Sequence, residues 1–102
     1  IYFHFKYNLM NKLFIISYDL NSIDKDYNGL YQAIKDLAPN AWKHPLESLW
    51  CISADENYTA NMIFEKLKQA IDSDDRLFIV DITKADRQGW LARDFWSWIK
   101  EL

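Results

Sequence analysis

The predicted fold of this chain is organised around LFIISYDL at residues 13–20. Its first four residues are apolar without a break, and the run then passes through Ser17 and Tyr18 to one acid, Asp19, ahead of a polar loop. A half-exposed strand alternates apolar and polar residues, whereas a strand covered on both faces is apolar throughout. The stretch therefore predicts a central strand that is buried on both faces and ends in a carboxylate.

Composition bounds the class of protein. The chain has 102 residues, of which 50% are hydrophobic and 17% aromatic, and its net charge is −3. This length predicts one domain with one core, and so much aromatic surface favours a homodimer that buries part of it. The acidic balance gives no general cationic face for nucleic acid. No apolar run approaches the roughly 20 residues of a bilayer span, so we expect no membrane partner.

The single cysteine, Cys51, excludes an intrachain disulfide and a cysteine-rich zinc site. Its neighbours in LWCIS predict a buried, inert thiol. One cysteine and no secretion-signal pattern suit the cytoplasm of a bacterium. We expect residues 1–9 to be a leader or upstream-translated segment, with Met10 as the initiator and residues 10–102 as a single domain. Residues 2–7 are also β-prone and suit an extra strand.

The rest of the chain predicts alternating helices and strands. Helices are expected at 27–38 (after Asp24 and Asp26), at 60–71 (capped by Thr59) and at 90–102, and strands in 41–55 and 76–83. The first two helices each carry an apolar stripe that we expect to be buried, formed by Leu30, Tyr31, Ile34 and Leu37 in the first and by Ala60, Ile63, Phe64, Leu67 and Ile71 in the second. This β-α-β-β-α-β order is that of the ferredoxin-like plan, an α+β fold with an antiparallel sheet of order 4-1-3-2, both helices on one face and here a C-terminal helix. Both sheet faces are mostly apolar, so we expect a symmetric dimer to cover the second face.

Four short motifs resemble known proteins: SYDL at 17–20, HPLESLW at 44–50, DDRLFIVDIT at 74–83 and GWL at 89–91. They are similar to small bacterial proteins labelled SinR family, and the plan resembles the small CRISPR-associated adaptation proteins and the VapD-type ribonucleases. That resemblance implies a ferredoxin-like homodimer, and some members are metal-dependent nucleases. It further implies that Asp19 binds Mg²⁺ or Mn²⁺ together with the partner's Asp19, and that Ser48 assists catalysis. The chain departs from the adaptation family at 21–26, which lacks Arg and carries one Lys.

Two functions stay open at this point. In the first, the homodimer acts on RNA or DNA, as a metal-dependent endonuclease that uses Asp19 and Ser48. In the second, the chain is a non-catalytic scaffold that binds another protein through its sheet face or its Trp-rich C-terminal helix, as the acidic balance favours. Asp19 then accepts amide hydrogen bonds in an Asx-type turn.

The remaining chemistry-bearing residues have plainer interpretations. Asp81 is expected at the end of the sheet opposite Asp19, and His44 as a surface or hydrogen-bonded residue. The acids at 72, 74 and 75 lack the calcium-loop spacing and predict a solvated turn. The tryptophans at 90, 96 and 98 predict core or interface packing first, with base stacking as the alternative.

Overall fold

The computed structural model describes residues 11–102, and β1 (Lys12–Asp19) lies inside a four-stranded sheet. The other elements are α1 (Asn28–Leu37), β2 (Trp42–Leu46), β3 (Leu49–Ala54), α2 (Ala60–Leu67), β4 (Arg76–Asp81) and α3 (Arg93–Lys100), with a short 3-10 turn at Lys68–Ala70. The strand order is β2-β3-β1-β4, which is β4-β1-β3-β2 from the other edge, and all neighbouring pairs are antiparallel. The predicted α+β domain with an antiparallel sheet is confirmed. The expected leader at 1–9, the extra strand and the initiator Met10 lie outside the described residues.

The first face of the sheet is covered by α1 and α2. Phe14 and Ile16 of β1 are fully buried there. The helices contribute a shared apolar stripe: Leu30, Ile34 and Leu37 from α1, and Ile63 and Leu67 from α2. Phe64, which the sequence pattern placed in the buried stripe, is 37% exposed. That expectation was wrong because Ile63 and Leu67, four residues apart, face the sheet, and the next position points about a quarter-turn away.

The second face of the sheet is covered in part by the chain's own α3. Leu13 of β1 and Cys51 of β3 pack against Phe95 and Ile99 of α3, and all four side chains are buried. The sequence predicts a dimer partner on this face, whereas the structure places α3 on part of it, because the segment after β4 is long enough to carry α3 back across the sheet. Phe78 of β4 lies on the same face and is 64% exposed, so α3 leaves the β4 side of this face open.

The ends of the helices differ from the sequence expectation by a few residues. α2 begins where Thr59 predicts, because the Thr59 Oγ1 accepts a hydrogen bond from the Met62 amide at 3.1 Å. α3 begins at Arg93 rather than at 90, and Trp90 is completely exposed. None of the helices found in residues 11–102 is long and apolar enough to cross a membrane.

Candidate functional site

Asp19 lies at the carboxyl end of β1, with its side chain exposed. The antiparallel register places Asp19 opposite Arg76 and Phe14 opposite Asp81. Asp19 and Asp81 therefore lie at opposite ends of the sheet, as the sequence predicts, and no site within one chain can use both.

The structure brings Asp19 and Ser48 together. Both line one surface cavity of about 440 Å³, where the loop after β1 meets the turn between β2 and β3. The Tyr18 amide donates a hydrogen bond to the Ser48 carbonyl at 3.1 Å, which holds this turn against the end of β1. Glu47 lines the same cavity and adds a second carboxylate. Sequence reasoning did not single out Glu47, although it directly precedes Ser48 in the HPLESLW motif.

One wall of the cavity is aromatic, and hydrogen bonds and ring stacking hold its side chains in place. The buried Tyr18 hydroxyl donates to the Glu47 carbonyl at 3.0 Å and accepts from the Trp50 Nε1 at 2.9 Å. Burial raises the pKa of Tyr18, so this phenol stays neutral. The Trp50 ring stacks against Tyr31 and, at 4.0 Å between centroids, against His44. The exposed His44 also places its Nε2 2.9 Å from the Glu47 carbonyl, so it is the hydrogen-bonded surface residue that was expected.

The charge of the cavity is negative. Its lysine, Lys25, forms an ion pair of 2.9 Å with Asp72, outside the lining. The carboxylates of Asp19 and Glu47 form no hydrogen bond or ion pair with any other residue in the described part of the chain. Two carboxylates that form no ion pair attract a cation, and they repel a phosphate group that arrives without one.

A second cluster of acids lies behind the loop after β1. Asp75 is 6% exposed, and its Oδ1 accepts hydrogen bonds from the Asn21 amide at 2.8 Å and the Tyr27 hydroxyl at 2.7 Å. Its Oδ2 accepts from the Asp72 amide at 2.8 Å. Burial by itself raises the pKa of Asp75, but these hydrogen bonds outweigh it and the pKa lies below its usual value.

The prediction of a solvated turn was therefore wrong for Asp75. It holds for Asp72 and Asp74, which are exposed. Asp75 is buried because it bonds Asn21, from which it is separated by 54 positions. No local sequence signal distinguishes Asp75 from its neighbours, since its partners come from another segment of the chain.

The donors in the cavity are of the right class for Mg²⁺ or Mn²⁺, which prefer oxygen ligands. Asp19 and Glu47 offer carboxylates and Ser48 a hydroxyl. Their number is short of the six that Mg²⁺ takes, and residues 11–102 contain no group of three or more His, Cys, Asp or Glu side chains arranged to hold a metal. One protomer would therefore need water, phosphate or a second copy to complete the coordination.

An apolar groove of about 450 Å³ lies on the second face, between the sheet and the segment that leads into α3. Ile15, Leu46 and Leu49 line its sheet side, and Trp90 and Leu91 its other side. Trp90 is fully exposed, whereas Trp96 and Trp98 pack partly buried beside Phe95, as core packing predicts.

Comparison of the chain with protein-family models, with curated proteins and with solved structures gave no significant match. The functional interpretation therefore depends on the geometry of these two surfaces and on the motifs in the sequence.

Proposed function

We propose that this protein is a ferredoxin-like homodimer that acts on nucleic acid as a metal-dependent endonuclease. One observation carries the proposal: Asp19 and Ser48, which the sequence resemblance singles out from separate segments, line one cavity together with a second carboxylate, Glu47. The strand order read from the β4 edge, β4-β1-β3-β2, supports the ferredoxin-like class.

In this proposal the carboxylates of Asp19 and Glu47 hold Mg²⁺ or Mn²⁺. A metal bound there would supply Lewis acidity and a bound water that is more acidic than bulk water. Ser48 offers its hydroxyl to a phosphate oxygen, and the neutral Tyr18 fixes the Glu47 backbone. The partner's Asp19 would supply one further carboxylate, and water or phosphate oxygens would fill the positions that remain. Because the cavity is negatively charged, a phosphodiester of RNA or DNA would bind there only with a cation present.

A cleavage assay tests the activity. Labelled single- and double-stranded RNA and DNA are incubated with the protein in Mg²⁺, Mn²⁺ or EDTA. Asp19→Ala should lower the cleavage rate by at least about a hundredfold, because even partners that only orient a metal ligand cost 10- to 100-fold. Asp24→Ala is the matched control, since Asp24 is an exposed acid of the same loop that does not line the cavity. Cutting that is equal in the wild type and Asp19→Ala would contradict the proposal.

The dimer is tested separately, by light scattering of the eluting protein over a range of concentrations. A mass of twice the chain mass is expected. If the protein is a monomer at the concentrations at which it cleaves, the partner's Asp19 plays no part in the site.

The apolar groove favours a second candidate function, a non-catalytic module that binds another protein. Exposed apolar patches of this kind mark interaction surfaces, and the fully exposed Trp90 is of the residue type that dominates binding energies. If the chain is such a module, it cleaves no substrate. Its binding to a protein partner is then lost in Trp90→Ala and retained in Asp19→Ala.

A further inference from the structure

We propose that Asp75 is a positioning residue that holds the loop between β1 and α1, residues 20–27, in place as a wall of the Asp19 cavity. Ser22, Lys25 and Tyr27 of this loop line the cavity. Asp75 does not line it and acts only through the loop. The consequence for ligand binding rests on the proposed function, whereas the consequence for the loop does not.

Apolar packing holds only the two ends of the loop, because Leu20 and Tyr27 pack against the core. The part between them contains no helix or strand, and Ile23, an apolar residue in its middle, is 97% exposed. The position of this middle part therefore depends on polar contacts to the turn that precedes β4. Asn21 bonds this turn twice, with its amide to Asp75 and with its Nδ2 to the Asp74 carbonyl at 2.8 Å.

Asp75 is the centre of these contacts because its carboxylate is buried and fully bonded. One oxygen accepts from both ends of the loop, the Asn21 amide and the Tyr27 hydroxyl, and the other accepts from the Asp72 amide in its own turn. The Tyr27 hydroxyl in turn accepts from the Ser22 amide at 3.2 Å. The exposed contacts, from Ser22 and Lys25 to the Asp72 carboxylate, surround this centre and are of the class that contributes little by itself.

Two variants distinguish the hydrogen bonds of Asp75 to the loop from an effect on general stability. Tyr27→Phe removes the hydroxyl that joins Ser22 to Asp75 but keeps the ring that lines the cavity. Asp75→Asn keeps the volume of the side chain but replaces one acceptor oxygen with a donor group. Asp81→Asn is the matched control, because Asp81 accepts from the Thr83 amide and hydroxyl at the opposite end of the sheet.

Hydrogen exchange measured by NMR reports how strongly the amides of the loop are protected by their hydrogen bonds. The Ser22 amide should exchange about fivefold faster in Tyr27→Phe, because one net hydrogen bond is worth about 1 kcal/mol. In Asp75→Asn the Asn21 amide should exchange faster as well. In Asp81→Asn both amides should exchange as in the wild type. If neither variant changes exchange at Asn21 and Ser22 beyond the Asp81→Asn control, the proposal is wrong.

Titration with Mn²⁺ alone, followed by calorimetry, measures the affinity of the cavity for the metal. If the wild type binds Mn²⁺, Tyr27→Phe should weaken this binding several-fold. The hydroxyl that it removes bonds Ser22 and Asp75, so the effect would come through the position of the loop. Asp81→Asn should leave the Mn²⁺ affinity unchanged. Faster exchange in the loop with unchanged Mn²⁺ affinity would overturn the positioning role. If the wild type binds no Mn²⁺, the proposed metal site fails, and the exchange rates alone decide whether Asp75 holds the loop.

Discussion

Phe95→Ala tests the finding that α3 covers the second face of the sheet. Phe95 is 6% exposed and lies with Leu13, Cys51 and Ile99 in one buried cluster. A phenylalanine buries roughly 150–200 Å² of surface, which at about 25 cal/mol per Å² amounts to about 4–5 kcal/mol. Alanine retains part of this surface, so the expected loss in the free energy of unfolding is about 3–4 kcal/mol, within the range measured for such truncations.

That loss is large for this chain, because domains of this size are stable by about 5–15 kcal/mol in total. Urea unfolding followed by tryptophan fluorescence and circular dichroism measures it. Trp90→Ala is the matched control, since Trp90 is an aromatic residue of the segment before α3 and is completely exposed. We expect the control to change the free energy of unfolding by less than about 0.5 kcal/mol.

The comparison between the two variants tests whether α3 packs against the sheet. If Phe95→Ala costs less than about 1 kcal/mol, a value typical of surface sites, then α3 does not pack against the sheet in solution. In that case Leu13 and Cys51 would be exposed on the isolated chain, and a partner would again be needed to cover them.

Three further predictions concern other parts of the chain. Thr59→Ala should lower the free energy of unfolding by about 1 kcal/mol, measured in urea, because the Met62 amide loses its cap, and Thr59→Ser should restore most of it. Cys51 should react with a thiol reagent only as the protein unfolds, because burial raises its pKa to about 12; a native rate like that of a free thiol would contradict the burial. Hydrogen bonds from Thr83 hold the pKa of Asp81 below its usual value. The Asp81 carboxylate therefore stabilises the folded chain at a pH above about 4, its pKa in the unfolded chain, and this contribution is lost as the pH falls through its lower pKa in the folded chain. Asp81→Asn should therefore reduce the acid-induced drop in unfolding free energy between about pH 4 and pH 2, and an unchanged drop would show that this carboxylate is not stabilised by folding.

Elements with a strong local signal could be predicted from the sequence. The unbroken apolar run before Asp19 identifies β1, the spacing of Leu30 and Ile34 identifies the buried stripe of α1, and Thr59 identifies the start of α2. Each of these depends on residues within a few positions of one another, because strand alternation, helix periodicity and capping are local rules.

The candidate site was predictable only in part. Asp19 and Ser48 were singled out by short motifs, and the structure places both at one cavity. Glu47 was missed because exposed acids are common and this turn reaches the end of β1 through tertiary contacts, namely the hydrogen bonds that Tyr18 makes to the Glu47 and Ser48 carbonyls.

Local sequence patterns predict most of the elements and their apolar faces, because these follow from neighbouring residues. What covers each face, and which polar groups meet, depends on contacts between segments that are distant in the chain. Sequence could not assign the second face of the sheet to α3, because that depends on where the segment after β4 turns back. It could not distinguish Asp75 from Asp72 and Asp74 either, since a carboxylate is buried only where distant donors satisfy it, and those donors are in the loop after β1.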